Sequence, residues 1–104
     1  VVVLVVNCRS VKNKCEELAA LIDTVNADVI VGTESSLDDT VADSEVFPSS
    51  FQAYRKDRTK RGGGVLILVS VGMVSCELQV SRNTTESVWC RVTQNDGSSF
   101  VVGA

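Results

Sequence analysis

Two apolar runs, residues 1–6 and 29–31, flank a single stretch with helical periodicity, and each run gives way to a polar residue, Asn7 after the first and Glu34 after the second. A strand, a helix and a second strand met in that order pair in parallel through a right-handed crossover. The carboxyl ends of the two strands then lie side by side, at the edge where α/β sheets bind their ligands. The pattern predicts an α/β fold with an amide and a carboxylate at one sheet edge. Mg²⁺ takes oxygen donors, keeps several of its waters and accepts one or two protein carboxylates, so Glu34 supported by Asn7 can begin a site for a hard divalent ion. The pair does not complete one.

Between the runs, Val11, Cys15, Leu18, Ile22 and Val25 recur at spacings of four, three, four and three, with Lys12, Lys14, Glu16, Glu17 and Asp23 on the other faces. This is the stripe of an amphipathic helix. Ser10 fits its N-cap, and Asn26, Ala27 and Asp28 give a short exit. Residues 35–50 carry Ser, Asp, Thr and Glu around the single proline, Pro48, without a sustained period, and read as a long surface loop. Strand patterns dominate thereafter. Residues 65–71 are apolar and rich in β-branched side chains, as in a strand buried on both faces. Val74, Cys76, Leu78 and Val80 alternate with Ser75, Glu77 and Gln79, which predicts a strand with one wet face. Val88, Cys90 and Val92 alternate with Trp89, Arg91 and Thr93, and Asn95-Asp96-Gly97 predicts a hairpin turn before the apolar residues 100–102.

The length of 104 residues suits one domain, 1–104. The chain begins without methionine inside an apolar run and stops just after another, which reads as a piece of something longer. No apolar stretch approaches the ~20 residues of a membrane span, and residues 1–6 lack the charged leader of a signal peptide. The expectation is an intracellular protein, nuclear or cytoplasmic and not secreted, in which the Asn83-Thr84-Thr85 sequon stays unused. The four cysteines form no close pair and are expected to be reduced. Cys15, Cys76 and Cys90 fall on apolar phases, where a thiol serves as a small hydrophobe. Cys8 adjoins the candidate site, but a chain with no histidine cannot form a cysteine–histidine nucleophile pair within itself.

Charge is unevenly placed. Arg55, Lys56, Arg58, Lys60 and Arg61 supply five of the ten basic residues; with Asp57 the run carries +4 and leaves −7 for the rest of a chain whose total is −3. That balance disfavours indiscriminate polyanion binding and suits one local phosphate contact. A solvated hairpin tip accounts for the same residues. Gly62, Gly63 and Gly64 are not a nucleotide phosphate loop, because they lead into a strand and lack the closing Lys-Ser/Thr. They predict a flexible turn.

Taken in order, Asn7-Cys8-Arg9-Ser10, Thr33-Glu34-Ser35, Phe47-Pro48, Tyr54-Arg55-Lys56-Asp57-Arg58, Arg61-Gly62-Gly63-Gly64-Val65, Glu86-Ser87-Val88-Trp89 and Val101-Val102-Gly103-Ala104 resemble the endonuclease domain of non-LTR (LINE-type) retrotransposons. That domain belongs to the endonuclease/exonuclease/phosphatase superfamily. The resemblance covers nearly the whole chain and implies the N-terminal part of a four-layered, DNase I-like α/β sandwich, with one β-α-β unit followed by mainly antiparallel strands. It implies Glu34 as the metal-binding glutamate and Asn7 as a residue holding metal and scissile phosphate, with Mg²⁺ or Mn²⁺ as cofactor. Arg55, Arg58 and Arg61 would contact the DNA backbone.

Two departures stand out. Ser36 occupies a position where this branch usually carries tryptophan. The family's later Tyr-Arg-Pro-Pro, Asp-x-Asn and Ser-Asp-His motifs are absent, and with them the general base and the remaining metal ligands. Their absence implies a chain inactive or nearly so by itself, binding metal weakly or not at all, and lacking the sandwich's second sheet, so that one inner sheet face lies bare. Its partners would be DNA and the missing C-terminal half of the domain, with no membrane partner and with self-association of the chain alone. The alternative is a non-catalytic remnant or interaction fragment of a decayed element. A phosphomonoesterase of the same superfamily ranks lower, because the Arg-Gly-Gly-Gly-Val hairpin resembles the retrotransposon branch.

Overall fold

The computed structural model describes residues 1–8, 15–37, 40–57, 63–78 and 87–104. Along them run β1 (Val3–Asn7), α1 (Cys15–Val25), β2 (Val29–Thr33), a short α2 (Asp43–Val46), β3 (Phe51–Lys56), β4 (Val65–Ser70), β5 (Val74–Glu77), β6 (Trp89–Thr93) and β7 (Ser99–Gly103). The first four strands form one sheet in the order β1-β2-β4-β3, and the last three form a second in the order β5-β6-β7.

β1 and β2 pair in parallel with Val3 opposite Val29 and Asn7 opposite Thr33, as the strand–helix–strand pattern predicts. Between them α1 buries Leu18 and Ile22. It ends where Asn26 turns into the left-handed region at φ +56, and the Ala27 N–H returns to the Ile22 carbonyl at 3.2 Å. Ser10 and Val11, and the side chain of Cys15, lie outside the described residues; Val25, on the expected apolar stripe, is exposed. Both faces of β2 and β4 are covered, which is why these strands read as continuous apolar runs. Ile30, Leu66 and Leu68 pack with Leu18 and Ile22 on one face, while Val29, Val65, Ile67 and Val69 pack with Val88, Cys90 and Val92 of the second sheet on the other.

Three expectations are corrected. Residues 35–50 are not simply a surface loop: Leu37, Val41, Val46 and Phe47 join the buried core beside α1, and α2 lies within the segment. The second sheet is not missing either, since β5, β6 and β7 build three of its strands here. Among the described residues the bare part of the inner face lies on β1, where Val3 and Val5 are 47% and 72% exposed.

The third correction concerns β5. Its pairing places Ser75 opposite Val92 and Glu77 opposite Cys90, so the register assigns the polar positions to the packing face of β6. Val74 and Cys76 therefore face outward, both exposed, and Ser75 meets Tyr54 of β3 through a 2.8 Å hydroxyl–hydroxyl hydrogen bond. The outer face of this sheet mixes apolar side chains with Arg91, Thr93 and Ser99, and there Trp89 stacks over Gly103, where a Cβ would lie 2.4 Å from the ring. Among the described residues no helix is long and apolar enough to cross a membrane.

Candidate functional site

The parallel register sets Asn7, last residue of β1, opposite Thr33, last residue of β2, and the Cys8 N–H closes the edge by donating to the Thr33 carbonyl at 2.8 Å. Glu34 follows at once, so the structure brings the two expected residues to one sheet edge, both exposed. There the backbone departs from β geometry. Glu34 has φ +53 and Ser36 φ +56, a conformation uncommon for residues other than glycine. Each such residue costs on the order of 1 kcal/mol and persists only where its surroundings hold it.

The surroundings are Gly63 and Gly64, at φ +74 and +90. Thr33 pairs with Val65, so the residues just beyond them face one another across the mouth of β2 and β4. Ser35 donates its N–H to the Gly64 carbonyl at 3.3 Å, and Ser36 donates to the Gly63 carbonyl at 2.8 Å. Ser35 is fully buried, and a Cβ on Gly64 would stand 2.4 Å from its Oγ. Reading the glycine run as a flexible turn missed this contact. The available signal was its position directly before an apolar strand, where glycine often marks close approach of two backbones.

Beside the edge, burial pushes the Cys8 thiol up, partly offset by a backbone hydrogen bond at Thr33. Its sulfur lies under Gly32, where a Cβ would come within 2.9 Å. A buried, protonated thiol is a packing group and not a nucleophile. Cys8, Cys76 and Cys90 are free thiols.

Arg55 lies elsewhere and faces inward. Its side chain is 14% exposed, and the guanidinium pairs with Asp43 at 3.0 Å and Asp57 at 3.2 Å and donates to the Val41 carbonyl. A DNA phosphate would have to displace carboxylates already in place, so the structure gives this side chain the work of bracing α2 against β3. Arg58 and Arg61 fall outside the described residues.

Asn7 and Glu34 supply an amide oxygen and one accessible carboxylate, a donor set that fits a hard oxygen-seeking cation able to keep most of its waters. Among the described residues no ion pair engages Glu34, and no group of three or more Asp, Glu, Cys or His is placed to hold a metal.

A helix layer, a mixed sheet and a second sheet packed on its inner face, with polar residues at the carboxyl edge, are the parts of a DNase I-like α/β sandwich. A solved structure with this arrangement is the human Nocturnin catalytic domain with bound sulfate anion, similar with a TM-score of 0.66 at 11% identity. The likeness covers 97% of this chain and 47% of that one, so the chain spans about half the length of its structural neighbour. It establishes the fold. No family model and no curated protein sequence matches the chain.

Proposed function

We propose that residues 1–104 are the N-terminal part of a divalent-metal-dependent endonuclease of the non-LTR retrotransposon type, hydrolysing DNA phosphodiesters inside the cell, in nucleus or cytoplasm. The observation that carries the reading is Glu34, held in a left-handed conformation at the carboxyl end of β2, one residue past the Asn7–Thr33 pair. Strained backbone that positions an accessible polar side chain clusters at functional sites. Glu34 would hold Mg²⁺ or Mn²⁺, and Asn7 would orient the ion or a phosphate oxygen. The ion, when bound, neutralises charge developing on the phosphate and the leaving oxygen. Arg58 and Arg61 would contact the DNA backbone without regard to sequence.

The chain has no histidine, and its described part offers no further ligand cluster. Those two facts favour a second reading for the chain by itself: a scaffold without chemistry, whether the front half of a larger enzyme or a remnant. Under either reading no described residue is assigned as general base. The C-terminal half would then complete the site and cover the bare faces.

The test is a Mn²⁺ titration of the chain followed by amide line broadening. Asn7 and Glu34 are expected to broaden first, with affinity on the order of 1 mM or weaker for a one-carboxylate site, and Glu34→Gln is expected to remove the effect. Broadening centred on Asp43 or Asp57 would overturn the assignment. A plasmid assay with Mg²⁺ is expected to show no nicking above background. Robust nicking that vanishes in Glu34→Ala would contradict the half-site reading.

A further inference from the structure

We infer that Gly64 is a positioning residue for Glu34, acting through Ser35 as a notch that receives a buried knob; this rests on the metal-site reading of Glu34 for its purpose, though not for its geometry. Four observations meet at this point. Glu34 and Ser36 both sit at positive φ, so the segment does not hold its shape through intrinsic preference. Ser35, between them, is fully buried, and its Oγ has no hydrogen-bond partner among the described residues, so shape and not polarity fixes it. The Oγ occupies the space that a Cβ on Gly64 would need, 2.4 Å away. The backbone on either side is tied to the same strand entry, Ser35 to Gly64 and Ser36 to Gly63.

Gly64 meets two demands that no L side chain meets together, φ +90 and an empty Cβ position. With any larger residue the knob has to leave its notch. The two N–H bonds then open, and Glu34 is released to relax out of its left-handed conformation and away from Asn7. The glycine beside a basic run thus serves the carboxylate on the neighbouring strand, not a phosphate.

Hydrogen exchange with NMR detection tests this on the chain as it is. In the unsubstituted protein the Ser35 and Ser36 amides are expected to be protected; exchange at the rate of unstructured amides would overturn the inference. Gly64→Ala is expected to lower that protection at least tenfold while Ile30 and Leu68 keep theirs, and to weaken Mn²⁺ broadening at Glu34 by a similar factor. Unchanged protection at Ser35 and Ser36 in Gly64→Ala would also overturn it. Adding Ser35→Ala removes the 2.4 Å approach, leaves contacts of 3.7 Å to the Ser35 Cβ and the Lys56 carbonyl, and is expected to restore part of both readouts. Should Gly64→Ala fail to fold, recovery by the double variant supports the contact, and Ser35→Ala alone, expected to lower Ser36 protection, counts against it if that protection is unchanged. Protected serines without any Mn²⁺ effect in the unsubstituted protein would leave the latch standing and remove the metal reading alone.

Discussion

At the scale of single residues, side chains of similar sequence character divide by what the fold sets around them. Arg55 belongs to a basic run by composition, yet it is shared between two carboxylates and a carbonyl. Arg55→Ala leaves partly buried acceptors without their donor and is expected to destabilise the chain by roughly 1–3 kcal/mol in urea unfolding. Binding to duplex DNA is expected to change little beside Arg58→Ala or Arg61→Ala. Sequence could not separate these arginines, because the partner Asp43 lies twelve positions away behind a segment that reads as a loop. The cysteines divide in the same way. Burial pushes Cys90 up to about 11, with smaller contributions from Cys76 and Glu77, whereas Cys76 is exposed. Alkylation at pH 8 is expected to modify Cys76 at least tenfold faster than Cys90, read by peptide mass spectrometry. Because the folded state raises the Cys90 value above the unfolded one, its contribution to stability is complete below the ordinary thiol range. That contribution is lost as pH rises through about 11.

At the scale of elements, legibility in the sequence follows burial on two faces. β2 and β4 are covered on both sides and their apolar runs announce them; the β1–α1–β2 unit, and with it the meeting of Asn7 and Glu34, was readable from period and order alone. The Asn-Asp-Gly turn was equally plain. Gly97 sits at φ +87, and Asp96 accepts from the Ser98 hydroxyl and N–H at 2.6 and 2.9 Å. Those bonds hold the Asp96 carboxyl below its usual range, the side-chain bond first, so the turn is expected to loosen as pH falls through that lowered value. β5 was misread for a definite reason: a period of two identifies two faces but not which one is inside. The antiparallel register with β6 decides that, and it turned Ser75 inward to Tyr54. Tyr54→Phe is expected to cost about 1 kcal/mol, because it deletes a hydroxyl–hydroxyl bond linking the two sheets. The segment 35–50 hid its role because Leu37, Val41, Val46 and Phe47 follow no helical or strand period, although all four are buried.

At the scale of the whole molecule, exposed apolar side chains among the described residues include Val3 and Val5 on β1 and Val74, Trp89 and Val101 on the outer face of the second sheet, the last three 72%, 38% and 52% exposed, besides Leu21, Val25 and Val71. Among the described residues β1, β3, β5 and β7 are the outermost strands of their sheets. Exposed apolar strands at sheet edges pair readily with other chains. Sedimentation is expected to show oligomers growing with concentration and binding a hydrophobic dye; a clean monomer that binds no dye would contradict this. The central proposal is that the carboxyl edge, where β1 ends at Asn7 and Glu34 follows β2, carries donors of a metal site. Anomalous diffraction from a crystal soaked in Mn²⁺ tests that claim most directly. The expected result is a peak on the Glu34 carboxylate on the side of Asn7, with water filling the rest of its shell. A peak on other acidic side chains, with nothing at Glu34, would contradict it.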